Sequence, residues 1–222
     1  LGVPVKRFER PMFGYLTREE ILAVIGESGD SWLSQRDHAL FLLMYNTGAL
    51  VSEVIGVKVG DVVLDANAAC VHLHGKGRKQ RSVPLWRSTV KTLRAWLHVN
   101  PQFDGTSRLL PNRSGHEMTR ANVTLRLASA VQRATETQPA LAKRQVSPHT
   151  IRHTTAMHLL QSGVDISVIA LWLGHESPVT THHYVEADLA MKERALARLH
   201  DPGAKILRYR ASDSLLDFLR TL

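Results

Sequence analysis

Residues 147–186 read SPHTIRHTTAMHLLQSGVDISVIALWLGHESPVTTHHYVE. The pattern predicts two helices, at about 148–162 and 164–173. His149 and Arg152 lie three apart, so on a helix they share one face near its N-terminus. A helix N-terminus already attracts phosphate. An imidazole and a guanidinium there add a proton carrier and a bidentate anion clamp. Two surface polar residues on an amphipathic helix would show the same spacing. His175 follows Leu173-Gly174, a helix end, and so stands where the chain turns. Tyr184 comes nine residues later. A phenol is a weak nucleophile until a neighbour takes its proton or stabilises its anion, and beside imidazole or cationic groups it can attack phosphorus. A lone tyrosine is equally a packed, amphipathic ring.

Upstream of this stretch, AACVHLH (68–74) and RSVPL (81–85) read as two strands, joined by the basic turn GKGRKQ (75–80). Its glycines let the backbone bend tightly and approach a ligand closely. Lys76, Arg78, Lys79 and the flanking Arg81 make it either a solvated hairpin tip or a finger that carries a lysine into a DNA groove or towards a leaving group. Thr17-Arg18-Glu19-Glu20 is a capping box that opens a helix. Further helices are predicted over Gln35–Thr47 with Gly48 as the stop, over Ser52–Val57, and at about 87–99, 119–136 and 186–200. A last amphipathic helix, 212–221, follows Pro202 and Gly203. The expected fold is mainly α with a small antiparallel β-sheet.

Composition narrows the function. With 222 residues, 44% hydrophobic and 22% charged, the chain has globular proportions, which exclude wholesale disorder. One cysteine, Cys70, excludes an internal disulfide and leans towards a reducing compartment, the cytoplasm. No apolar run reaches the ~18 residues of a membrane span, and no signal peptide is visible, so no membrane partner is expected. Lys and Arg outnumber Asp and Glu by 28 to 20, and a charge of +8 favours a polyanionic partner, nucleic acid first. The histidine pairs His72/His74 and His182/His183 invite a metal reading, but Cys70 stands alone and no HExxH motif occurs, so no metal is expected. A histidine-metal phosphodiesterase has the least support, for want of carboxylate-histidine ligand sets.

TGALVSEV (47–54), GKGRKQRSVPL (75–85), HTIRH (149–153), LGH (173–175) and Tyr184 occur in one order and register. In this the chain resembles the tyrosine recombinase (phage integrase) family, from about residue 15 to about 200. The resemblance implies the catalytic-domain fold of that family and a site-specific recombinase or integrase that acts on a double-stranded DNA recombination site. It implies that Tyr184 attacks a phosphodiester, keeps the 3′ phosphate and releases a 5′ hydroxyl, with no cofactor. By the same resemblance, Lys76 protonates the leaving oxygen and His149 assists proton transfer. Arg152 and His175 hold the non-bridging oxygens, and Glu53 supports the site from behind.

One departure from that pattern bears directly on activity. Where the family places its first catalytic arginine, this chain has Leu50, which has no donor to offer. Loss of one preorganised donor commonly costs ~10²–10³ in rate. Cleavage is therefore expected to be impaired, unless another residue, Arg81 being one candidate, stands in. The survival of the other motifs favours a deliberate or recent change over long drift. The rival reading is a non-catalytic DNA-binding module on the same scaffold. Residues 1–16 are expected to be the linker from a missing N-terminal DNA-binding domain, 17–200 the catalytic domain, and 201–222 a tail. Helix 212–221 has a broad apolar face in Leu215, Leu216, Phe218, Leu219 and Leu222, which suits docking in trans within a tetramer on paired sites, or in cis.

Overall fold

The computed structural model describes residues 14–65, 68–75 and 80–175. Lys76, Arg78, Lys79, Tyr184, His182, His183 and the helices expected at 186–200 and 212–221 lie outside the described residues. The capping box forms as read. Thr17 Oγ1 accepts from the Glu20 N–H at 3.2 Å and the Glu20 carboxylate accepts from the Thr17 N–H at 2.8 Å, opening α1 (Arg18–Ile25). The body begins slightly earlier than the boundary at residue 17: Leu16 is buried, and its N–H donates to Thr154 Oγ1 at 3.0 Å.

Helix α2 (Trp32–Thr47) starts three residues ahead of the predicted Gln35, because Ser31 Oγ caps it by accepting the Ser34 N–H at 3.1 Å. The early turn is held by Trp32, whose indole donates to Asn100 at 2.8 Å and packs against Trp96. After α2 come α3 (Val51–Gly56), a 3₁₀ turn at Val59–Asp61, and the strands β1 (Val62–Val63), β2 (Cys70–His74) and β3 (Gln80–Pro84). Then follow α4 (Arg87–His98), α5 (Arg120–Ala134), a 3₁₀ turn at Pro139–Lys143, α6 (Pro148–Gln161) and α7 (Ile166–Leu173).

Residues Ala39 to Tyr45 of α2 are all buried, and the helix packs against α1, α4 and α6. A helix that is apolar around its whole circumference has to sit inside. Leu40 and Leu43 in α2, Leu93, Leu127 and Ile151 are fully enclosed, each contributing about 1.5–3 kcal/mol of burial. The sheet is antiparallel in the order β1-β2-β3. Val71 pairs with Val83 and Leu73 with Arg81, and alternation puts these four on the face towards the core. His72 and His74 take the other face, where His72 meets Ser82 Oγ at 2.8 Å and His74 meets Asp61 at 3.0 Å. The short β1 has no counterpart in the sequence reading, since two residues carry no readable alternation. Among the described residues, no helix is long and apolar enough to cross a membrane.

Candidate active site

The site is built where α2 and α7 end and α6 begins. Gly48 closes α2 at φ +60°, and its N–H returns to the Met44 carbonyl at 2.8 Å. A side chain there would both strain the backbone and strike Leu173 and Thr155, since a Cβ would lie 2.5 Å from Leu173 Cδ2. The ends of α2 and α7 can therefore approach closely over α6. Arg152, on α6, spans the gap: Nη1 donates to the Gly48 carbonyl at 2.7 Å and Nη2 to the Leu173 carbonyl at 2.8 Å. Both carbonyls belong to helix C-terminal ends, where partial negative charge favours a cation. Arg152 is only 6% exposed, so its guanidinium is fixed in place.

At this same C-terminal end of α7, Gly174 takes φ +69° and the His175 N–H reaches back to the Ala170 carbonyl at 2.9 Å. This turn sets His175 beside Arg81, whose guanidinium lies so close that a Cβ on Gly174 would meet Nη1 at 2.9 Å. Arg81 is where the sequence reading needs correction. Expected on a DNA-contacting basic turn with Arg78 and Lys79, it points inward. Its Nε donates to the Trp172 carbonyl at 2.9 Å, and its two Nη atoms contact Glu53 at 2.5 and 3.0 Å. The reason is the pleat: Arg81 shares its strand face with Val83, two residues on, and that face is buried. Glu53 also accepts the Leu50 N–H at 2.8 Å, so one buried carboxylate ties β3 and α7 to the start of α3.

Charge and burial together set the protonation states. The His175 imidazole is pushed down to about 4, first by burial and then by Arg152, Arg81 and His149. His153 is likewise lowered to about 4, by burial and then by His149, Arg152 and His175. His149 is lowered by burial and by Arg152. Its ring packs edge-on against His153 with centroids 4.4 Å apart. Near neutral pH all three are thus uncharged rings, each able to donate with one nitrogen and accept with the other. Burial works against the Glu53 carboxylate, but Arg81, the Leu50 N–H and Arg152 outweigh it and hold its pKa below the usual value.

A cleft of about 350 Å³ opens over this framework. Ala49, Leu50, Val51 and Ser52 form one wall, Ser147, Pro148, His149 and Arg152 another, and Arg120 and Thr124 of α5 the third. Leu50 is 42% exposed in it. A cleft with a fixed guanidinium, the neutral His149 imidazole and the opening turn of α6 favours an anionic oxygen group. A separate groove of about 740 Å³, lined among others by Tyr15, Tyr45, Trp86 and His158, contains none of these residues. The structure thus gathers Leu50, His149 and Arg152 at one cleft, with Glu53 and His175 close behind. His153 belongs to the same cluster. It was not singled out from the sequence, although its spacing of four from His149 was a usable signal. Arg120 was also missed, and nothing local in the sequence marks it.

Residues 14–191 match the phage integrase family. Over 225 residues the chain is 43% identical to y4rC of Sinorhizobium fredii, covering 100% of this chain and 67% of that protein. It is 41% identical over 182 residues to the tyrosine recombinase XerC of Neisseria meningitidis, covering 81% of this chain and 55% of that protein. It is 37% identical over 180 residues to the tyrosine recombinase XerD of Mycobacterium tuberculosis, covering 76% and 55%. The chain therefore spans about half the length of these two recombinases. Among solved structures, XerA recombinase superposes with a TM-score of 0.73 at 25% identity, over 90% of this chain and 68% of that one. The XerH site-specific recombinase, bound to palindromic difH substrate in a post-cleavage complex, gives 0.71 at 22% identity, over 84% and 53%, which shows the shared fold.

Proposed function

Since the chain belongs to the phage integrase family and has the tyrosine recombinase catalytic-domain fold, we propose that it breaks and rejoins double-stranded DNA through Tyr184, at a rate lowered by Leu50. In the proposed step the Tyr184 oxygen attacks phosphorus and its proton passes to His149. The bond from phosphorus to the 5′ oxygen breaks, and Lys76 protonates that oxygen. The product is a 3′-phosphotyrosyl link that retains the bond energy, so a new 5′ hydroxyl can reverse the step without cofactor or metal. Arg152 and His175 meet the charge that builds on the non-bridging oxygens, and Glu53 keeps Arg81 and the start of α3 in place. Arg78 and Lys79 add phosphate contacts beside Lys76. Such chemistry depends mainly on positioning and charge stabilisation.

The observation that carries this reading is the Arg152 guanidinium, buried and fixed by two helix-end carbonyls at the wall of a cleft that His149 shares. Assembly as a tetramer on paired sites, with helix 212–221 docked on a neighbouring protomer, and a cytoplasmic setting are parts of the same proposal. Leu50 supports a second reading, a DNA-binding module that does not cut, because it puts an apolar side chain in the cleft where the family places an arginine. The two separate on a nicked suicide substrate. Covalent adduct that disappears in Tyr184→Phe, with DNA binding retained, establishes the recombinase. No adduct from the native chain or from Leu50→Arg, with DNA binding intact, leaves the binding module.

A further inference from the structure

We propose that Arg120 supplies the phosphate-binding guanidinium that Leu50 cannot, from the α5 wall of the same cleft. The inference rests on the recombinase reading above and deepens it. Arg120 lines the same cleft as Leu50, His149 and Arg152. It stands in the first turn of α5, capped by Thr119, whose Oγ1 accepts the Asn122 N–H at 3.1 Å. Helix α5 packs against both α3 and α6, the elements that carry Leu50 and Arg152, so the approach of this wall is set by the core.

Two other arginines near it are committed elsewhere: Arg81 is held by Glu53, and Arg126 of the same helix by Asp37. Arg120 is exposed, and its guanidinium makes no hydrogen bond or ion pair among the described residues. A cation with no carboxylate beside it loses less on turning to an incoming phosphate than one that must first break an ion pair. Its planar fork can take two non-bridging oxygens at once, which a leucine wall cannot do. Arg81, the candidate suggested by sequence, is excluded from this role by its commitment to Glu53 and Trp172.

A substitute acting on the scissile phosphate and a mere backbone contact make different predictions. If Arg120 replaces the missing donor, its value depends on what stands at position 50. The test measures single-turnover adduct formation on a nicked suicide substrate at saturating DNA. It compares the native chain with Arg120→Ala, Leu50→Arg and the double variant. The expected result is a loss of about 100-fold for Arg120→Ala in the native background. In the Leu50→Arg background the same change should lower the rate by less than about 5-fold, and DNA affinity should fall by a similar small factor in both. Because Arg120 is exposed, the variant should keep the native melting temperature. Equal losses in the two backgrounds would make Arg120 an ordinary DNA contact and overturn the proposal. So would an undiminished rate in Arg120→Ala, or a native chain with no adduct while Leu50→Arg forms it. In each case the loss of adduct in Tyr184→Phe still decides the recombinase reading on its own.

Discussion

The Arg81 guanidinium closes on the Glu53 carboxylate through two contacts, of 2.5 and 3.0 Å, directly behind Leu50. The pair is nearly dry, with side chains 14% and 6% exposed. It joins β3 to α3, and through the Trp172 carbonyl it also joins α7. Removing one member of such a pair leaves the other charge buried and unmatched, which typically costs about 3–5 kcal/mol.

Arg81→Ala is therefore expected to lose stability of that order in chemical denaturation near neutral pH. Glu53→Gln keeps an acceptor for the Leu50 N–H but strands the guanidinium, and should be destabilising as well. The double variant Glu53→Gln/Arg81→Met should lose less than the two single losses added together, because no buried charge remains. Strict additivity, or a single variant as stable as the native chain, would mean that the pair does not hold this corner.

Stability should fall on acidification before the carboxylates titrate. His153 and His175 sit at about 4 in the folded protein against 6.5 in an unfolded chain. Between those values the unfolded chain binds more protons, so the contribution of these rings is complete above about pH 6.5 and is lost as the pH falls towards 4. Glu53, with its pKa lowered, acts in the same direction below its ordinary value of 4.5. Denaturation midpoints at pH 7.5 and pH 5 should therefore differ clearly, with the lower value at pH 5. His153→Asn, which cannot take up the proton, should narrow that gap. A flat profile, or an unchanged gap in the variant, would count against neutral, buried imidazoles.

Leu50→Arg should raise cleavage much more than DNA affinity. Position 50 is 42% exposed in the cleft, and its hydrogen bonds to Glu53 and Val54 are made by its backbone alone, so the longer side chain needs no rearrangement. A change in stability within about 0.5 kcal/mol is expected, as for a surface position. Because a donor at this place acts as charge develops, the gain should be about 10–100-fold in the single-turnover rate of adduct formation. A change confined to affinity, with no gain in rate, would show that this wall of the cleft does not face the reacting phosphate.

Sequence alone determined what is decided locally. The Thr17–Glu20 capping box, the helix stops at Gly48 and Gly174 and the outward pair His72/His74 each rest on neighbours within a few residues. The grouping of His149 with Arg152 follows from one helical turn. The start of α2 at Trp32 was less legible, because its first turn is fixed by a contact with Asn100, sixty-eight residues away. Where each charged side chain would point was not legible at all. Arg81 looked like part of a basic fingertip but turned inward, because its partners are Glu53, 28 residues earlier, and the Trp172 carbonyl, 91 residues later. Arg120 carried no local mark in the sequence; packing of α5 against α3 and α6 brought it to the cleft that Leu50 also lines. A helix or a turn is chosen by short-range sterics and hydrogen bonds, which a stretch of ten residues already contains. A charge stays in water or turns inward according to the partners that the fold brings to it, and those partners come from distant parts of the chain.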